Sequence, residues 1–195
     1  LQHFPKNIAA YRNLGQALVG TERWNEAAEI FRRVLSVVPD DKIAHIGLSN
    51  IYYNQEQLVD AIWHLERVYE QNNNDQEIAE QLREYYSEHT GQSQVRLPLT
   101  TGSASRQYAR NTLYDKAVEL LNQFLGHKPD RVDLRLLLAR VHRLSGNNIA
   151  AAEVAIDVLA YLPDCLEANR ILAMLWMNEQ RPSDAQRYLS RIEPV

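Results

Sequence analysis

The chain has 195 residues, 24% of them charged and 45% hydrophobic, with a formal net charge of −4, so it is one ordinary domain or one short repeat array able to bury roughly two thirds of its unfolded surface. A lone Cys165 excludes an internal disulfide and a multi-cysteine zinc site, and no apolar run reaches the ~18 residues that a membrane span needs. Residues 1–90 carry 8 basic and 14 acidic side chains and residues 91–195 carry 13 and 11, so neither half is basic enough for nucleic acid to be the main partner.

Seven glycines, few alternating β-branched runs and abundant Ala, Leu, Glu, Gln and Arg predict an all-α chain. A ladder of prolines then sets its period. Pro5, Pro39, Pro129 and Pro163 are joined by Asn73 on the third rung, with steps of 34, 34, 56 and 34 residues. Taken in chain order, residues 1–7 read as the tail of a preceding repeat. The first repeat carries Tyr11, Leu14, Gly15, Leu18, Ala27, Phe31, Val34 and Pro39. The second carries His45, Leu48, Ser49, Tyr52, Ala61, Leu65, Val68 and Asn73, and completes a segment ending at residue 75.

The 56-residue step is one period plus 22 residues, enough for a single additional helix. Residues 76–89 are expected to form it, with Ile78, Ala79, Leu82, Tyr85 and Tyr86 on the apolar side. A polar linker over His89–Val95 follows, and residues 76–97 together read as an insertion. The alternative is one repeat whose two helices are separated by a long loop, which compact domains rarely contain. Pro98 is expected in the first turn of the next helix, opening a segment 98–195 of three repeats. These carry Tyr108, Ala117, Leu121, Phe124 and Pro129, then Leu138, Ala139, His142, Ala151, Ala155, Val158 and Pro163, then Leu172, Ala173, Trp176, Ala185, Leu189 and Ile192. Asn7, Asp40, Asp130 and Asp164 are expected to cap helices. No polar capping helix follows the last hairpin, which leads us to expect a longer native protein.

The period and its small, large and proline positions resemble the tetratricopeptide repeat family. The resemblance implies a right-handed superhelical solenoid of about five helix-turn-helix repeats plus one inserted helix. It also implies a concave face, built from the first helix of each repeat, that holds an extended or helical polypeptide through the second, fifth, ninth, twelfth and thirteenth motif positions. Carried over residue by residue, these offer Arg12, Gln16, Asn50, Tyr53, Asn54, Arg106, Arg110, Arg140, Arg143, Arg170, Met174 and Met177. Amides that pair with a peptide backbone, together with Arg and Met, suit a partner carrying some acidic residues. The chaperone-binding members grip a terminal carboxylate, but here Glu77 stands where that clamp needs a lysine. The asparagine ladder of glycosyltransferase-linked members is likewise missing, since the positions read Asn13, Gly47, Gln81, Ser103, Leu137 and Ile171.

Glu77, Glu80, Glu84 and Glu88 fall on one stripe of the inserted helix, at steps of 3, 4 and 4. Like charges so spaced cost about 0.2–0.5 kcal/mol per pair. The first reading is a solvated face, and the alternatives are a basic partner or the basic second half of the same chain. No glycine triplet for phosphates, histidine pair at zinc spacing or nucleophile elbow is present. His45 and His142 are assigned to packing, and Cys165 has no base near it in sequence. The chain is therefore expected to be non-enzymatic, free of cofactor and metal, and cytoplasmic, since it lacks a signal sequence. Its expected role is to bind a polypeptide, with self-association possible. A spacer or self-assembling array beside a catalytic domain is the alternative function.

Overall fold

Why these residues make hairpins is visible in a computed structural model that describes residues 7–192; the Pro5 rung, most of the tail assigned to 1–7 and residues 193–195 lie outside the described residues. Among the described residues there are eleven α-helices and no strand. They are α1 (Ile8–Gly20), α2 (Trp24–Val37), α3 (Lys42–Asn54), α4 (Leu58–Gln71), α5 (Gln76–Thr90), α6 (Thr101–Arg110), α7 (Tyr114–His127), α8 (Val132–Leu144), α9 (Asn148–Tyr161), α10 (Leu166–Asn178) and α11 (Pro182–Ile192). Two compact units divide the chain, one of residues 8–35 and 40–103 and the other of residues from 104 onward with the short segment 36–39.

The proline ladder marks the ends of the second helices. Pro39, Pro129 and Pro163 each stand two residues beyond the end of a second helix, and Asn73 does so after α4. A proline there lacks the amide hydrogen that another turn would need. A second periodic device had no counterpart in the sequence reading. The three-residue turn inside each hairpin centres on a left-handed residue, namely Glu22, Glu56, Thr112, Gly146 and Gln180, with φ between 57° and 81°. The residue after it donates its N–H to the carbonyl five positions back, as in Arg23 to Leu18, Gln57 to Tyr52, Leu113 to Tyr108, Asn147 to His142 and Arg181 to Trp176. That closure satisfies carbonyls at the end of the first helix. In the same register α5 has no such turn. It runs on to Thr90 and stops at Gly91, whose φ is 71°.

Packing explains the difference. The eighth motif position, on the first helix of each hairpin, faces the second helix and reads Gly15, Ser49, Ser105, Ala139 and Ala173, all small and all buried. On α5 the same position is Arg83, which is exposed. A long charged side chain there bars close approach of a second helix, and residues 91–100 run on without one. Phe31 of α2, only 1% exposed, makes the tightest of these fits. A Cβ added at Gly15 on α1 would lie 2.6 Å from its Cε1, and one at Gly47 on α3 would overlap the opposite edge of the ring. Tyr11, Leu18, Ala27, Ala44, Leu48 and Ile51 complete that core, and Ile78, Leu82 and Tyr85 of α5 join Ala61, Leu65 and Val68 in the next. The other unit repeats the scheme around Leu121, Leu134 and Val141 and around Ala155, Ile171 and Leu172.

Several local expectations are corrected. His89 belongs to α5 rather than to a linker, and Pro98 precedes α6 by three residues instead of occupying its first turn. The cap positions after Pro39, Pro129 and Pro163 lie one residue later than expected, because the helix starts after the full turn that follows the proline, whereas Asn7 stands directly before α1. Asp41, not Asp40, accepts from the Ala44 N–H at 2.8 Å. Asp75 caps α5 and Asn147 caps α9. The corresponding cap positions of α8 and α10 are Arg131 and Cys165, which make no side-chain cap, so Asp130 and Asp164 lie outside the capping position.

On helix propensity alone, Gly15→Ala or Gly47→Ala gains about 1 kcal/mol. Overpacking a filled core costs about 1–3 kcal/mol, and the Phe31 ring, contacted on both edges, has no direction in which to yield. Each alanine variant is expected to lower stability in urea unfolding. Adding Phe31→Leu should restore much of the loss, giving a double-mutant coupling that independent sites would not show.

Candidate functional site

The residues that the repeat positions nominate are placed on first helices, but the two units use them differently. In the unit of residues 8–103, Gln16 on α1 is exposed, and Asn50, Tyr53 and Asn54 share the outer side of α3. Tyr53 stacks on Tyr85 of α5 with ring centroids 4.4 Å apart and an interplanar angle of 5°. It also donates its hydroxyl to Glu88 at 3.1 Å, which raises the Tyr53 pKa because ionisation would bring two anions together. Gln81 donates to the Tyr85 hydroxyl at 3.0 Å and to Asn50 Oδ1 at 3.4 Å. The Asn54 side chain is turned back to the Asn50 carbonyl at 2.7 Å. The result is an aromatic and amide surface held in place before any ligand arrives. Gln81, half-buried, belongs to it and was missed as a site residue, whereas Tyr85 is only 5% exposed and backs the stack from the core, as the apolar stripe of α5 already implied.

Arg12 is turned inward to Asp41, with Nε to Oδ2 at 2.8 Å, and so ties α1 to the cap of α3. The glutamate stripe lies open to solvent. Glu77, Glu80 and Glu84 have no ion-pair partner among the described residues, and Glu88 has the Tyr53 hydroxyl.

In the other unit, arginine at the ninth motif position reaches an acid 27 residues on, at the second position of the next repeat. Arg106 lies 3.6 Å from Asp133, which Arg131 also holds at 2.8 and 2.9 Å. Arg140 grips Glu167, with Nε to Oε1 at 2.7 Å, and Arg170 approaches the same carboxylate at 3.8 Å. Arg106 is only 7% exposed, against the expectation of an exposed groove side chain. These arginines tie neighbouring first helices together, and the 27-residue spacing of opposite charges was the signal that could have found them. Arg110, Met174 and Met177 are exposed and Arg143 is half-buried.

His45 of α3 is buried and shares a 2.8 Å hydrogen bond between Nδ1 atoms with His64 of α4. Tyr52 stacks on the His64 ring, and Trp63 meets it edge-on at 4.8 Å. Arg67, itself buried, lies over Trp63 and bonds Glu66 and Glu70. Burial first, then His45, Arg67 and Arg32, hold His64 down to about 3. His142 is lowered mainly by burial. Cys165 is buried. Among the described residues no three His, Cys, Asp or Glu side chains converge as for a metal ion, and no helix is long and apolar enough to cross a membrane.

Hairpins at a constant period, a left-handed turn in each, and polar groups spent on tying repeats together define a helical-repeat scaffold. The sequence profile of the tetratricopeptide repeat matches residues 12–88 and 104–156. The chain belongs to that family, whose members serve protein interaction and scaffolding and are typically non-catalytic. No curated protein sequence matches it. Similar solved structures include MamA AMB-1, 17% identical over 94% of this chain and 95% of that one, with a TM-score of 0.44. They also include a MamA protein at 14% identity over 97% and 91%, TM-score 0.42, and MamA from Desulfovibrio magneticus RS-1 at 11% over 95% and 92%, TM-score 0.41.

Arg106→Ala is expected to cost about 1–3 kcal/mol, at the lower end for a buried pair because Arg131 still neutralises Asp133. Arg143→Ala should stay within about 0.5 kcal/mol; denaturant unfolding of the two variants makes the comparison. The His64 shift has a definite sign. The unfolded chain takes up a proton as pH falls through 6.5 while the folded chain waits until about 3, so stability is lost on acidification. By pH 5 the loss is about 2 kcal/mol. Unfolding free energies between pH 7.5 and 5 should show that slope, and His64→Gln should flatten it.

Proposed function

We propose that this chain is a polypeptide-binding module, acting by binding rather than by catalysis. Its first helices receive an extended or helical partner segment. The observation that carries this reading is the ordered surface of Asn50, Tyr53 and Gln81 on α3 and α5, backed by the buried Tyr85. Tyr53, held flat against the buried Tyr85 ring, supplies apolar contact area at low entropic cost, and the amides beside it suit a peptide backbone. Gln16 and Asn54 extend the surface. Glu77, Glu80, Glu84 and Glu88 border it with uncompensated negative charge, so the segment bound there carries Lys or Arg. In the other unit Arg110, Arg143, Arg170, Met174 and Met177 offer a mixed basic and apolar face, Arg106 and Arg140 being already engaged by Asp133 and Glu167.

We further read α5 as the first helix of a repeat without its second. Two complete repeats then precede residue 76, the helix and connection occupy 76–97, and three repeats follow from residue 98. Arg83 at the position that is small in every paired first helix supports this reading.

Fifteen-residue peptides selected against the protein from a random display library should be enriched in Lys and Arg. Their affinity should fall at least tenfold for an Asn50→Ala/Tyr53→Ala variant whose melting temperature stays within about 3 °C of the original. Selected peptides that bind the variant undiminished would remove α3 from the site.

A further inference from the structure

We propose a second docking site, on the outer side of α9, for a basic amphipathic helix of a partner protein. The helix α9 is apolar on two sides. Ala151, Ala155 and Val158 are fully buried in the core with Ala168, Ile171 and Leu172. Away from that core, Ile149 is 77% exposed and Ile156 53% exposed, and Ala152 lies half-buried between them. Steps of three and four residues put these three on a single stripe. With Leu172, Leu175 and Trp176 of α10 they line a groove of about 460 Å³.

The repeat itself supplies the comparison that gives this stripe meaning. At the offsets of Ile149 and Ile156, α2 carries Asn25 and Arg32, α7 carries Asp115 and Asn122, and α4 carries Val59 and Glu66. Hairpin packing therefore does not call for isoleucine at both places. Two isoleucines left in water on a concave apolar wall mark a contact surface more than a scattered exposed side chain does.

Charge fixes the kind of occupant. Glu153 and Glu179 stand on the rim, exposed and without an ion-pair or hydrogen-bond partner among the described residues. The cation lining the groove, Arg181, is already committed, lying 4.3 Å from the Trp176 ring centre and donating to Asp184 at 2.7 Å. An apolar floor between uncompensated carboxylates is complementary to a helix with an apolar stripe flanked by Lys or Arg. The stripe from Ile149 to Ile156 spans about 10 Å at 1.5 Å per residue, which matches two turns of such a helix. Met174 and Met177 do not line the groove, so this site is separate from the first-helix face.

The probe is a synthetic 16-residue helix with leucines at steps of three and four and lysines elsewhere, compared with its glutamate counterpart. Its binding is followed by the isoleucine methyl resonances of the whole chain. The lysine peptide should shift Ile149 and Ile156 and the glutamate peptide should not. Ile149→Ser/Ile156→Ser should weaken binding at least tenfold without lowering the melting temperature, and Glu153→Lys/Glu179→Lys should reverse the preference. Asn50→Ala/Tyr53→Ala should leave all of this unchanged, which separates this site from the proposed first-helix function. Binding indifferent to the serine pair, or shifts confined to α5, overturns the proposal. So does a wild-type dimer in sedimentation that the serine pair dissociates, since a second copy would then cover the groove.

Discussion

The Phe31 ring, wedged between Gly15 and Gly47, sets the spacing on which the unit of residues 8–103 depends. It projects from α2 and touches two first helices at once, on opposite edges, so α1 and α3 take their separation from a single rigid side chain. The outward residues Gln16, Asn50 and Tyr53 inherit that spacing. A glycine inside a helix costs about 1 kcal/mol of propensity relative to alanine, and close approach of the ring is what repays it. The same logic runs through Ser49, Ser105, Ala139 and Ala173. It stops at Arg83, where the chain makes no second helix.

Polar groups hold this protein together at several places where a ligand was expected, as at Arg12, Arg106 and Arg140. Asp41 closes the first turn of α3 with one oxygen and holds Arg12 with the other. Arg106 and Arg140 hand their charge forward to Asp133 and Glu167. Removing such charges from water is costly unless they are paired, and the 34-residue period carries the same pairing geometry from Arg106 to Arg140. Left exposed on the scaffold are Tyr53 and Asn54 of α3, the glutamate stripe of α5, and the isoleucine stripe of α9 between Glu153 and Glu179.

Family and hairpin register were legible in the sequence because both rest on local, periodic chemistry. Small residues at Gly15, Ala27, Ala61, Ala117 and Ala151, prolines beyond the second helices, and an apolar face on residues 76–89 each act within one or two turns of their own position. The cap positions were misread by one residue, Asp40 for Asp41, because composition marks a turn but not the residue at which its dihedrals become helical. The left-handed centres Glu22, Glu56, Thr112 and Gln180 went unseen because glycine, the usual marker, stands only at Gly146.

The sequence by itself thus determined the fold class, the 34-residue period and the small and large core positions that recur with it, such as Ala27, Phe31, Leu121 and Ala155. Hydrophobic burial at fixed offsets needs no knowledge of distant residues. Only the tertiary structure decided which polar residues are spent and which are left over. Arg106 and Arg143 look alike along the chain, but one lies buried against Asp133 and the other does not, because an ion pair depends on where a neighbouring repeat places its acid. The Tyr53–Tyr85 stack and the groove beside Ile149 likewise exist only once separate helices are brought together.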